Sequence, residues 1–329
     1  QLKDALLAFQ KAVDINPVYS EAYNNLGNTF KAIGQLDDAI KSYKKALDIN
    51  PEYPALHNNL GSAYKSLGNH KDAVKSYLKG LALNPSYIDI LNNLGVAYTE
   101  LGEMNEAINT LKKAIAIKPD YAEAYNNLGV AFNKNSQLEE AVHSFESALK
   151  INPDFPDPYN NLTVVFRKQG LFDHVTMSSK KAIDSMIKYI KTQPNDSDTY
   201  NNLGLAYFEI DSLDKAVESF EVAVSINPRF DEAYYNLGVA LERLHRFDDA
   251  IKAFVNAENI KTDTEYSLGN ILNAKMQSCS WDNFYNLLEK LEKKINDNKK
   301  IVDPFNLKAW IDDPALQRKA TEIKVNSDF

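Results

Sequence analysis

The tetrapeptide Asn-Asn-Leu-Gly stands at Asn24–Gly27, Asn58–Gly61, Asn92–Gly95, Asn126–Gly129 and Asn201–Gly204. Asn160-Asn161-Leu162-Thr163 and Tyr235-Asn236-Leu237-Gly238 complete the series, and every step but one is 34 residues. Self-similarity at a fixed period of that size excludes a globule built on one core. Each unit is too short to bury its apolar face alone and must stack on its neighbours. A stacked array presents a long continuous surface rather than one catalytic pocket.

With Ser20–Tyr53 as the unit, numbered 1 to 34, Tyr23, Leu26, Gly27 and Phe30 fall in slots 4, 7, 8 and 11. That spacing draws one face of a helix. Gly34 in slot 15 can take the left-handed conformation that ends this first helix. Ala39, Tyr43 and Ala46 in slots 20, 24 and 27 form the inner stripe of a second helix, and Pro51 in slot 32 stops it. The proline slot recurs as Pro17, Pro85, Pro119, Pro153, Pro194 and Pro228, and the alanine slot as Ala5, Ala73, Ala107, Ala141, Ala216 and Ala250. Small residues in slots 8 and 20 let the two helices approach closely.

These registered slots resemble the tetratricopeptide repeat family. The resemblance implies an all-α fold, a right-handed superhelical solenoid of antiparallel helix pairs. Helix one of each pair would line the concave surface. The array is expected over residues 1–262, with a partial first repeat at 1–19, full repeats from 20 and a lengthened repeat at 156–196. Residues 263–329 are expected to form a divergent helical cap or linker.

On helix one, slots 2, 6 and 9 lie on the side opposite the apolar stripe. Slot 6 is asparagine throughout: Asn25, Asn59, Asn93, Asn127, Asn161, Asn202 and Asn236. Asparagine inside a helix costs about 0.5 kcal/mol relative to alanine, so each one calls for a reason. A row of amides can donate to and accept from the backbone of an extended peptide. Inheritance by duplication, with solvated side chains, is the competing account. Alanine at Asn93, Asn127 and Asn161 is expected to weaken peptide binding at no cost in stability.

Slot 2 is mostly acidic, including Asp89, Glu123, Asp157 and Asp198. These carboxylates suit a basic ligand, or simply the positive end of the helix dipole. Slot 9 becomes apolar at Val96, Val130 and Val164, as groove floor or as packing between repeats.

Several function classes are excluded on composition. A net charge of −8 opposes non-specific nucleic-acid binding. No apolar run reaches the roughly 18 residues that would cross a membrane. The lone Cys279 suits a reducing compartment, so a cytoplasmic location is expected. Cys279 itself is expected to pack as a small hydrophobe. The histidines (His57, His70, His143, His174 and His245) are scattered through different units and form no metal-binding cluster. No cofactor and no catalytic residue are expected. Asp196-Ser197-Asp198 lies at a repeat junction and reads as a helix cap.

The unit beginning near Pro156 carries seven extra residues before Pro194, with Thr163, Val175 and Ser179 in the glycine, alanine and aromatic slots. Seven residues add two turns with only about 20° of drift, so helix two can lengthen without rotating its inner face. Met186–Ile190 is then expected to project past its neighbours. After Asn259 the repeat fades, with Leu268-Gly269 about three residues early. Helices are expected at 265–276 and 281–296, with Asp303-Pro304 and Asp313-Pro314 as helix starts.

Lys275-Met276, Cys279, Trp281, Asp303-Pro304-Phe305 and Asp313-Pro314-Ala315-Leu316-Gln317 resemble the linker that joins tetratricopeptide arrays to the catalytic region of O-linked N-acetylglucosamine transferases and Spindly-type relatives. The expected function is therefore a non-catalytic module that binds extended peptide segments of partner proteins along an Asn-lined concave groove. The alternative is the substrate-recruiting arm of a protein O-glycosyltransferase. Self-association through open solenoid ends is a third expectation. The chain opens on Gln1 with what reads as half a repeat, so an incomplete reading frame is also expected.

Overall fold

A computed structural model of the protein describes residues 2–261, 267–299, 307 and 310–328. The regular structure among them is helical throughout. Two compact units divide the chain, Gln1–Gln169 and Gly170–Phe329.

The first unit holds α1 (Leu2–Ile15), α2 (Ser20–Ala32), α3 (Leu36–Ile49), α4 (Pro54–Ser66), α5 (His70–Leu83), α6 (Ile88–Leu101), α7 (Met104–Ile117), α8 (Ala122–Lys134), α9 (Leu138–Ile151) and α10 (Pro156–Lys168). Even-numbered helices are the first of each repeat, the A helices, and odd-numbered ones are the B helices. The pairs α2–α3, α4–α5, α6–α7 and α8–α9 pack as antiparallel hairpins. Each B helix then rests on the next A helix, and consecutive A helices touch from α2 through α10. The second unit holds α11 (Phe172–Ile190), α12 (Ser197–Glu209), α13 (Leu213–Ile226), α14 (Asp231–Arg243), α15 (Phe247–Ile260), α16 (Ser267–Gln277), α17 (Phe284–Asn296) and α18 (Pro314–Asp328). Its hairpins α12–α13 and α14–α15 repeat the same contacts, and α16, α17 and α18 pack in series behind them.

The predicted slots carry the core. Tyr43, Tyr77, Phe145, Phe220 and Phe254, all in slot 24, are fully buried, as are the slot-20 alanines of the same repeats. Burying one such ring contributes roughly 1.5–3 kcal/mol. Slot 8 must be glycine where the ring lies flat against it. A Cβ built on Gly129 would sit 2.5 Å from Phe145 Cε1.

The turn at slot 15 is left-handed at Gly34 (φ +80°), as predicted. The same turn occurs at Ser136, Asp211 and His245, with φ of 60°, 59° and 58°. Hairpin closure therefore imposes the conformation, and glycine only removes its strain.

Two devices escaped the sequence reading. At four corners the asparagine before the proline closes a local turn: the Oδ1 atoms of Asn16, Asn84, Asn152 and Asn227 accept the backbone N–H two residues on. This Asx turn fixes the exit angle that proline alone leaves open. Tyr43 Oη also donates to Asn28 Oδ1 at 2.7 Å, whereas the equivalent Tyr77 hydroxyl is buried with no partner. Slot 9 of the Tyr77 repeat holds the shorter Ser62 in place of Asn28.

Three expectations need correction. The long B helix exists, α11 having 19 residues against 14 in α3. Its Met186 does not project, however. It is fully buried beside Ile183, while Ile187 and Tyr189 remain exposed, because the added turns keep the apolar stripe in phase.

The repeat register also outlasts the Leu-Gly signal. Asn270 lies 34 residues after Asn236 and Cys279 34 after His245. Asn270 Nδ2 reaches Tyr235 Oη at 3.2 Å, and Cys279 has φ 53°. Helix α16 is therefore an A helix in register, and Leu268-Gly269 sits outside the slots it imitates. Cys279, at the hairpin turn, is exposed rather than packed.

Behind α16, Leu268, Leu272, Phe284, Leu291, Ile295, Leu307, Ile311 and Leu316 form a separate core. The buried Glu258 carboxylate ties this region to α15. It accepts from Ser267 Oγ at 2.7 Å, Lys290 Nζ at 3.1 Å and Lys294 Nζ at 2.6 Å. Asp313 Oδ1 accepts from the N–H groups of Ala315 and Leu316 and so caps α18, as expected. Asp303-Pro304-Phe305 lies outside the described residues.

Candidate functional site

The slot-6 asparagines are joined to the slot-5 asparagines of the preceding A helix. In the first unit, Asn59 Nδ2 donates to Asn24 Oδ1 (2.8 Å), Asn93 to Asn58 (3.0 Å), Asn127 to Asn92 (2.8 Å) and Asn161 to Asn126 (2.9 Å). In the second unit, Asn236 donates to Asn201 at 3.0 Å. Asn25 and Asn202 sit on α2 and α12, which have no earlier A helix within their units. The accepting Asn92, Asn126 and Asn201 are buried, while the donors are half-buried.

These rungs explain why slots 5 and 6 are both asparagine. A buried slot-5 amide needs a partner, and leaving it unpaired would cost about 1–3 kcal/mol. The expected freedom of the slot-6 amides is corrected accordingly: one N–H of each rung is committed to the fold. The Oδ1 atoms and the second N–H of each remain on the A-helix face. Asn93 Oδ1 is also approached by Lys65 Nζ at 3.5 Å.

The acidic row behaves as a set of first-turn carboxylates. Asp89, Glu123, Asp157 and Asp198 are exposed in the first turns of α6, α8, α10 and α12. Tyr121 sits beside two of them. Loss of water pushes its hydroxyl up to about 12, with repulsion from Glu123 and Asp89 adding to the shift. In the second unit, Asp198 is raised above the usual carboxylate range by partial desolvation and then by Asp196, and Glu232 by desolvation and then by Asp231 and Asp198. Asp196 accepts from the Asp198 N–H and the Thr199 hydroxyl, so the Asp-Ser-Asp triplet caps α12 as predicted. Val96 and Val130 are half-buried, and Val164 is 37% exposed.

Sequence reasoning missed slot 12, because its residue type changes along the chain. In the first unit it holds Lys31, Lys65, Thr99, Asn133 and Arg167, and in the second Phe208 and Glu242. Lys31 Nζ donates to Ser62 Oγ at 2.6 Å. Both lysines are held below the usual ammonium range by desolvation, and Lys31 lowers Lys65 further. Glu242 is raised by desolvation while accepting from Asn273 Nδ2 at 2.5 Å. Among the described residues, no cluster of histidine, cysteine and carboxylate side chains is arranged to hold a metal ion. No described helix is long and apolar enough to cross a membrane.

In each unit the face therefore consists of A helices stacked by paired amides, in a helical repeat protein. Tetratricopeptide repeat models match residues 8–41, 122–155 and 202–260, and a TPR repeat model matches 27–68, 61–102 and 97–136. The chain belongs to the tetratricopeptide repeat family.

Three solved structures are similar to it. Cut9–Hcn1 of the APC/C is 16% identical over 83% of this chain and 53% of its own, with a TM-score of 0.59. A tetratricopeptide repeat protein from Parabacteroides merdae is 22% identical over 78% of this chain and 98% of its own, with a TM-score of 0.54. MamA is 30% identical over 50% of this chain and 97% of its own, with a TM-score of 0.45. The first two share the fold. No curated protein matches the chain.

Proposed function

We propose that this chain is a non-catalytic module that binds extended segments of partner proteins along its A-helix face. The carrying observation is the amide ladder of the first unit, four rungs of 2.8–3.0 Å. Each rung fixes the rotation of a slot-6 amide, so Asn59, Asn93, Asn127 and Asn161 offer oriented carbonyl oxygens at each repeat. Oriented acceptors lose little entropy on meeting the N–H groups of an extended backbone. Asn25, the acidic residues Asp89, Glu123 and Asp157, and the valines Val96, Val130 and Val164 complete the proposed surface of the first unit, and Asn202, Asn236 and Asp198 hold the equivalent slots on the second unit. The ligand is a protein or peptide rather than nucleic acid or membrane.

The test is a fluorescence-anisotropy titration with terminally blocked, extended dodecapeptides of threonine, valine and proline. The triple variant Asn93→Ala, Asn127→Ala, Asn161→Ala should bind at least tenfold more weakly. It should also unfold more easily, by about 1 kcal/mol per rung, a cost absent from the sequence-based expectation. Measurement well below its melting temperature separates the two effects. Undiminished affinity in a folded triple variant overturns the reading.

A second reading rests on the tail. The segment from Lys275 to Trp281 and the Asp313 cap keep the residues that resemble a glycosyltransferase linker. On that reading the same face feeds a substrate chain to a catalytic lobe. The full coding frame tests it: an alternating strand-helix region following the tail supports it, and a product ending at the tail refutes it. Light scattering over a concentration series tests self-association through the ends of the array.

A further inference from the structure

A groove of about 500 Å³ opens on the B-helix side of the first unit, between α3 and α5, with the apolar stripe of α4 beneath it. That stripe lies on the other side of α4 from Asn59 and the amide ladder. Leu47, Leu60 and Tyr64 supply the apolar surface of the groove. Lys44, Lys75 and Lys79 line it as exposed cations, against two carboxylates, Asp48 and Asp72. Asp72 is already committed, because it accepts from Lys75 Nζ at 2.9 Å and from Asn69 Nδ2 at 2.8 Å. Lys44 Nζ lies 5.7 Å from the centre of the Tyr64 ring, and the Lys79 charge bears on His57. The groove is therefore positive at its rim in a chain whose net charge is −8.

His57 also lines the groove and is only 8% exposed. Its slot 4 is tyrosine in most repeats, and Tyr159 shows what the slot provides: its hydroxyl donates to Pro153 O at 3.2 Å. His57 Nε2 donates to the equivalent Pro51 O at 3.3 Å and meets the same need. The imidazole brings a second nitrogen, Nδ1, which is buried with no partner. His70 Nδ1 and the Tyr77 hydroxyl are left in the same condition on the same α4–α5 hairpin. Buried polar atoms without partners are uncommon in folded proteins. Such departures gather where a surface serves something other than the stability of the fold.

We propose that this groove docks an acidic amphipathic helix of a partner protein. The apolar stripe of that helix lies on Leu47, Leu60 and Tyr64, and its carboxylates reach Lys44 and Lys79. The groove is open on its solvent side, so it takes side chains from one face of a helix and does not enclose a small molecule. Apolar and anionic residues at helical spacing match the apolar surface and the rim together. The site is separate from the A-helix face and does not depend on peptide binding there.

Three blocked, fluorescent eighteen-residue helices test the proposal by anisotropy. One carries a leucine stripe with glutamate and glutamine elsewhere, one has lysine in place of each glutamate, and one has alanine in place of each leucine. The first should bind the wild type tenfold or more tightly than either of the others. Its affinity should fall at least tenfold in Lys44→Glu, Lys79→Glu, which changes two exposed side chains. If that variant does not fold, Lys44→Gln, Lys79→Gln should show a loss in the same direction. Nitrogen-15 spectra of the wild type should show the His57 ring shifting as the acidic helix binds. Affinity should persist in folded Asn93→Ala, Asn127→Ala, Asn161→Ala, which leaves the groove intact. No binding of the acidic helix, equal binding of either control helix, or undiminished affinity in the lysine variants overturns the proposal. Self-association of the wild type in light scattering that the lysine variants abolish would assign the groove to a second copy of the chain and overturn it as well.

Discussion

The two units of this molecule pack alike and are charged differently. Gly129 lies against Phe145 in the first unit as Gly238 lies against Phe254 in the second, and a Cβ on either glycine would come within 2.5 Å of the ring. Slot 12 of the A helices differs between them: desolvated Lys31 and Lys65 in the first unit, desolvated Glu242 in the second. Asp198 and Glu232 add two further carboxylates in the second unit that are raised above the ordinary range. Packing slots look inward and answer to the same neighbours in every repeat. The outward slots answer to solvent and ligand, so their charge can change with no disturbance to the stack.

The packing half of this comparison gives the largest expected effect. Gly129→Val and Gly238→Val should each destabilise their own unit, by about 3 kcal/mol, because the added atoms overlap a fully buried ring. Urea unfolding followed by hydrogen exchange would place each loss. A loss in one unit alone would break the claim that both use the same joint.

A subtler pair tests slot 24 within the first unit. Tyr77→Phe removes a buried hydroxyl that has no partner, and should stabilise by about 1 kcal/mol. Tyr43→Phe removes the bond to Asn28 and should destabilise by a similar amount. Matching signs in thermal melts would refute the contrast.

The smallest effect lies in the pH dependence, and the two units should move in opposite directions. Asp198, Glu232 and Glu242 are raised in the folded protein, so the folded state holds their protons at a pH where the unfolded chain has released them. The second unit should gain stability as pH falls through these raised values toward the ordinary carboxylate range. Lys31 and Lys65 are lowered, so the unfolded chain keeps protons that the folded state has shed. The first unit should gain as pH rises from their lowered values toward the ordinary ammonium range. Site-resolved hydrogen exchange, corrected for the intrinsic pH dependence, would separate the units. Parallel drifts would show that the charge contrast has no energetic weight.

Much of the fold was legible because it rests on periodicity. Thirty-four-residue spacing, a slot-8 glycine and a slot-20 alanine specify a helix hairpin through sterics that act within one repeat and its neighbours. The same habit of matching residue types misled at the end of the array. Leu268-Gly269 imitates a slot signature out of phase, while Asn270 and Cys279 keep the register under unfamiliar residue types. The candidate surface was legible only as rows. Nothing in a row of asparagines says that Asn127 spends an N–H on Asn92 of the preceding repeat. Slot 12 escaped because a search for recurrence cannot see a position whose meaning lies in its change from Lys65 to Glu242.

The sequence by itself determined the helix pairs, their order and their family, because local spacing and small-residue slots admit one way of stacking. The tertiary structure decided which amides are committed to the ladder, where Met186 is buried and Cys279 exposed, and which charges are left without counterions. Those outcomes depend on atoms brought together from different repeats, and desolvation and hydrogen-bond satisfaction are properties of that assembled surface rather than of any one segment.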